Sequence, residues 1–187
     1  MAVKGTILSL LLLVGAASGK AQTPLGNLVS QVRTATVIVN TYDERGKALT
    51  EGSGFLISPD RVVTNLRSID SARLIRINTF SGKTLSVQSI IARYVDADLA
   101  ILQLSQVCLD VIPLKVKTIS QANGSAVVLN NSEDGEWNVR FDQIAAGWSF
   151  EHRGTHLQIS ASIVATNEGG SVVKLKGYVN GTAVAVP

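Results

Sequence analysis

Few residues in this 187-residue chain can do acid–base, nucleophilic or metal chemistry, since it holds two histidines and a single cysteine. His152 and His156 stand with three residues between them, a spacing seen in zinc sites. No cysteine or carboxylate set accompanies them, so neither a metal nor a cofactor is expected. Cys108, between Val107 and Leu109, reads as a buried small hydrophobe, because free cysteine is among the most buried residue types. The stretch "VVTNLRSID", residues 62–70, runs a strand-like apolar pair into Thr64-Asn65 as though to deliver a proton-transfer residue. It delivers Arg67, whose guanidinium stays protonated in proteins and cannot act as a base.

The elements that must position these residues are short β-branched runs punctuated by Gly, Asp, Asn and Ser, with no long helical period. Strands are expected at 34–42, 54–58, 61–64, 73–80, 84–92 and 99–104. Asp43-Glu44-Arg45-Gly46 and Ser81-Gly82 supply hairpin chemistry, and Pro59-Asp60 turns the chain between two strands. Ile75, Ile77 and Thr79 alternate with Arg76 and Asn78, the mark of a sheet with one buried face. Residues 105–120, with Pro113 and two lysines, break the pattern; strands resume at 126–130, 139–146, 155–160, 171–175 and 178–186. The pattern predicts an all-β chain folded as two β-barrels. The expected divisions are an N-terminal segment at 22–33, a first barrel at 34–104, a connector at 105–120 and a second barrel at 121–187.

Residues 1–21 are set apart by Lys4 and an apolar run from Ile7 to Ala17, followed by small residues at Gly19 and Ala21. The run is shorter than the roughly 20 residues needed to cross a bilayer, so an exported, periplasmic or secreted product is expected, without stable membrane insertion. Removing that segment takes Lys4 and Lys20 and no acid, so 17 basic against 14 acidic residues becomes 15 against 14. A net charge near neutrality with scattered aromatics excludes the electrostatic footprint of a nucleic-acid binder. N-x-S/T sequences at Asn123, Asn130 and Asn180 matter only in a host that glycosylates exported proteins.

Four stretches in order, "EGSGFLIS" at 51–58, "VVTNLRSID" at 62–70, "VDADLAILQL" at 95–104 and "TNEGGSVVKLKGYVNG" at 166–181, resemble the trypsin-like serine proteases of the HtrA/Deg type. In that family the corresponding runs read G-S-G-F-I-I, T-N-x-H-V, D-x-D-x-A-x-L-x-L and G-N-S-G-G-P-L-V. The resemblance implies two antiparallel β-barrels of the six-stranded type, the second shortened at its C-terminus, with a degenerate catalytic triad: Asp98 stands at the aspartate position, Arg67 at the histidine and Glu168 at the nucleophilic serine. The family chemistry needs serine as nucleophile, histidine as proton carrier and a carboxylate to orient it. Thr166, Asn167 and Glu168 occupy the former oxyanion-hole region, where a carboxylate opposes the negative charge that must develop.

Other residues do not restore the chemistry. Ser68 and Ser171 lie near the base and nucleophile positions, but neither has a histidine placed to activate it, so both are expected to be ordinary surface or turn serines. A two-carboxylate mechanism through Asp98 and Glu168 requires one of them to hold a proton, and a cation shared between two carboxylates keeps both ionised. The resemblance implies a carboxylate–guanidinium–carboxylate pairing in a partly buried cleft. The expected function is an inactive protease homologue that binds a protein or peptide. An active serine-type or two-carboxylate hydrolase, or a structural envelope accessory protein, are the alternatives.

Overall fold

The computed structural model describes residues 24–116 and five later strands at 124–131, 137–150, 154–159, 171–174 and 178–182, with side chains at 25–116 and at Ser171. The first element corrects the all-β expectation: Pro24–Ala35 is a helix, α1, and the strand expected from Thr34 begins at Thr36. Leu28, Val32 and Ala35 recur at helical spacing and are buried against Phe55, Val63 and Leu114. The period is masked because Gly26, Val29, Val32 and Thr34 are all weaker helix formers than alanine or leucine. Burial of one face supplies what propensity lacks. The chain is mostly β rather than wholly so.

Six strands follow: β1 (Thr36–Tyr42), β2 (Ala48–Ser58), β3 (Arg61–Asn65), β4 (Leu74–Thr79), β5 (Thr84–Tyr94) and β6 (Leu99–Leu104). They close an antiparallel barrel in the order β1-β2-β3-β6-β5-β4, with β4 returning to pair along β1 from Val37↔Thr79 to Tyr42↔Leu74. Closure leaves no free edge. Its core is built from inward-facing aliphatics such as Val37, Val39, Leu56, Val62, Ile77 and Leu102. The expected joints hold their chemistry. Asp43 Oδ1 accepts from the backbone N–H groups of Arg45 and Lys47, both at 2.8 Å, and Gly46 takes the left-handed φ of 77° that the turn requires. Gly82 does the same with φ 83° in the turn from β4 to β5.

Beyond the barrel, β7 (Lys115–Val116), β8 (Gly124–Asn131), β9 (Trp137–Phe150), β10 (Gly154–Ile159), β11 (Ser171–Lys174) and β12 (Tyr178–Thr182) form one sheet in the order β10-β9-β8-β11-β12-β7. The pairs are antiparallel except β12 with β7, which runs parallel. A second closed barrel is not seen among the described residues; β10 and β7 are the two edges. The strand β7 lies inside the stretch expected to be pure connector.

That connector is fastened to the barrel. Cys108 N–H donates to Pro59 O at 2.7 Å and Leu114 N–H to Leu56 O at 2.8 Å. Gln31 of α1 donates to Pro113 O at 3.4 Å. Cys108 is buried, as its apolar setting predicts, and burial pushes its thiol pKa up. Asp110 receives Lys83 Nζ at 2.9 Å and the Cys108 thiol at 3.3 Å. The Lys83 hydrogen bond above all, then that of Cys108, lowers the Asp110 carboxyl to about 2.

Two outcomes follow from these contacts. A Cβ at Gly54, in β2 between β1 and β3, would meet Val63 O at 2.8 Å, Val62 Cγ1 at 3.0 Å and Val39 Cγ2 at 3.1 Å. Gly54→Ala should therefore cost about 1–3 kcal/mol in a denaturant melt, as overpacking does; a neutral substitution would mean the barrel wall yields there. Because the folded-state pKa of Asp110 lies below its usual 3.8, its pairing adds stability above that value and loses it as pH falls toward about 2. Lys83→Met should flatten the fall of melting temperature between pH 4 and pH 2 relative to the parent. Superimposable profiles would count against the pairing.

Candidate functional site

All four residues of β3 after Arg61 are buried, Thr64 and Asn65 included. A polar side chain in that position needs a partner. Thr64 Oγ1 finds the backbone carbonyl of Ser53 at 2.8 Å. Asn65 Nδ2 donates to Asp98 Oδ2 at 2.8 Å. The register explains the meeting: β3 pairs with β6 so that Asn65 stands opposite Leu99, the residue after Asp98.

Asp98 is bent into place by its own backbone. It adopts φ 47°, a left-handed conformation that Asp tolerates better than most residues, and its N–H donates to Val95 O at 3.1 Å. Its carbonyl accepts from Leu66 N–H at 3.2 Å. Its carboxylate accepts from Arg67 N–H at 2.8 Å through Oδ1 and meets Arg67 Nε at 3.1 Å through Oδ2. One residue therefore binds three successive residues of the chain leaving β3.

The turn that follows is anchored from below and beside. Ile69 is buried, and the Ile69 and Ala72 N–H groups close successive turns onto Leu66 O and Ile69 O at 3.0 and 3.1 Å. Asp70 meets Arg93 of β5 at 3.2 Å. Thr50 Oγ1, on β2, donates to Ser68 O at 2.8 Å.

Of the residues singled out in the sequence, Arg67 and Asp98 are brought together. Glu168, Thr166 and Asn167 lie outside the described residues, as do His152 and the segment 1–21. His156 pairs with Trp148 between β10 and β9. Ser171 opens β11 opposite Leu129; it is fully buried, and its Oγ has no hydrogen-bond partner among the described residues. That burial corrects the expectation of a surface or turn serine. No group of three or more His, Cys, Asp and Glu among the described residues could hold a metal ion.

The pairing of Arg67 with Asp98 is partly open to solvent. Arg67 is 45% exposed and Asp98 25%, so water screens the contact. The residue that sequence reasoning missed is Asn65, which is fully buried and whose Oδ1 has no partner among the described residues. Its only trace in the sequence is that two polar residues, Thr64 and Asn65, end an apolar run.

The geometry ranks two substitutions. Asp98→Ala removes the acceptor of a buried amide and of a backbone N–H and should cost about 2–4 kcal/mol. Arg67→Ala removes a screened contact and should cost about 0–1 kcal/mol. Denaturant melts of the two variants check the order, and equal losses would return the weight to the ion pair.

The trypsin-like peptidase domain model matches residues 52–181 of this chain. Among curated proteins, the anti-sigma-I factor RsgI9 of Acetivibrio thermocellus is 30% identical over 148 residues, which cover 79% of this chain and 21% of that protein. A probable periplasmic serine endoprotease, DegP-like, of Buchnera aphidicola is 29% identical over 157 residues, covering 79% of this chain and 32% of that protein. The chain thus spans between about a fifth and a third of the length of these relatives. Among solved structures, the active form of the Rv3671c protease from M. tuberculosis superposes with a TM-score of 0.69 at 21% identity, over 86% of this chain and 74% of that one. The HtrA-type protease AlgW with a tripeptide gives 0.71 at 18% identity, over 83% and 52%.

Proposed function

The chain belongs to the trypsin-like peptidase domain family, and from that premise we propose that it is an exported member that no longer cuts and instead binds a protein or peptide. The observation that carries the reading is Arg67 Nε resting on Asp98 Oδ2 at 3.1 Å, where the family's histidine would be oriented by its carboxylate. A guanidinium has no lone pair to take a serine proton. The sequence offers no substitute: Glu168 stands at the nucleophile position and Thr166 where the family has glycine, so neither alkoxide nor oxyanion pocket is supplied.

What remains is a cleft without a proton carrier. The described sheet of the second half is read as part of a second barrel, with residues 105–120 joining it to the first. Related folds lay an extended peptide along a strand edge, with main-chain hydrogen bonds giving affinity. One curated relative is named an anti-sigma factor, which supports a use of this domain outside digestion. The apolar run 7–17 and the DegP-like relative's periplasmic name support export.

Purified residues 22–187 should cleave neither casein nor acyl esters above a buffer control. Without base and nucleophile, a site retains at most the roughly 10³–10⁴ over water that binding and oxyanion contacts give. Turnover that scales with protein and stops with a serine-directed covalent inhibitor would overturn the proposal. Arg67→His with Glu168→Ser should restore little, because Thr166 remains.

A further inference from the structure

The connector is an ordered strap with an apolar outer face. Its backbone is bound to the barrel at Cys108 and Leu114, whose side chains point inward and are buried. Between and beside those anchors Val107, Leu109 and Ile112 are left in solvent, Leu109 82% exposed and Ile112 69%. A side chain that exposed has no walls around it. It projects, and to be buried it must enter something else rather than receive something.

Cations ring the strap. Ser81 and Lys83, in the turn between β4 and β5, reach Asp110 at 3.4 and 2.9 Å, so that turn lies beside Leu109. Phe80 of the same turn lies under the exposed guanidinium of Arg33, 4.7 Å from its ring centre. Lys115 follows on β7, and Arg61 is two residues along the chain from Pro59, whose carbonyl holds Cys108. Among the described residues two acids, Asp60 and Asp110, accompany these four cations; Asp110 is paired with Lys83, and Asp60 accepts from Ser58 and Gln103. The face is left with a positive surplus around protruding aliphatic side chains.

We infer that this strap docks the protein on an anionic lipid surface, with Leu109 and Ile112 entering the headgroup boundary and Arg33 and Lys115 meeting lipid phosphates. Interfacial attachment of this kind combines buried apolar area with attraction to anionic headgroups. It differs from crossing: no helix among the described residues is long and apolar enough to span a membrane. Charge complementarity and projection favour a lipid bilayer over a protein groove, because a bilayer yields to whatever protrudes. The inference is independent of whether the cleft has lost its catalysis.

The test uses the chain from residue 22, which keeps every described element because α1 begins at Pro24. It is sedimented with phosphatidylcholine vesicles, with and without about a third phosphatidylglycerol. Binding should appear on the anionic vesicles, weaken several-fold as salt is raised because headgroup attraction is screened, and fall at least tenfold in Leu109→Ser with Ile112→Ser. Both side chains are exposed, so the double variant should melt as the parent does. Lys115→Gln with Arg33→Gln should weaken binding while leaving the apolar residues in place. No sedimentation of the parent, or equal sedimentation of parent and Leu109/Ile112 variant, overturns the inference. So does self-association in sedimentation velocity that the Leu109/Ile112 variant abolishes without any vesicle binding, which would make the strap an interface between two copies.

Discussion

Asp98 is the clasp on which the described site depends. Its left-handed backbone turns the loop before β6 toward the end of β3, its carbonyl holds Leu66, and its carboxylate holds both the Asn65 amide and the Arg67 N–H. Hydrogen bonds to an ionised acceptor are worth roughly twice neutral ones. They also fall where they matter most, because Asn65 is buried and cannot turn to water. The fold's own hydrogen bonds call for an acid here, whichever side chain stands at 67.

The barrel turns that clasp into a fixed geometry. Closure between β1 and β4 leaves no strand free to slip, and β3 to β6 keeps Asn65 opposite Leu99. Where β2 passes close to its neighbours only Gly54 fits, and the helix covers the Phe55–Val63 flank from outside. A one-residue slip of β3 would turn Val62 out of the core and Asn65 away from Asp98 together. Core register and site geometry are thus one constraint seen from two sides.

The barrel strands were readable because β-branched runs and glycine turns report local chemistry. The β6 run Leu99–Leu104 and the Asp43–Gly46 turn lie where the pattern puts them. Helix α1 was not, because its valines, threonine and glycine argue against a helix locally; only the barrel flank that buries Leu28 and Val32 decides the matter. The meeting of Arg67 with Asp98 followed from aligned motifs, but its solvent exposure did not, since accessibility depends on how much of the neighbouring chain covers a loop. Asn65 was overlooked for a related reason: a polar residue at a strand end looks like a turn signal until both faces of the strand are known to be buried.

On the proposed reading, the separation between clasp and cation accounts for how a barrel of this kind persists without a proton relay. The buried amide and the backbone N–H are held by the carboxylate of Asp98, and the side chain at 67 is 45% open to water. On that reading, a guanidinium in place of an imidazole there changes the chemistry completely while the carboxylate keeps its hydrogen bonds to the chain. On the proposed reading, the fold carries little penalty for losing catalysis, since the proton-transfer position lies outside the hydrogen bonds that close the site. On the same reading, the segment held by that clasp is a preorganised surface, and preorganisation is what lets a modest contact area bind.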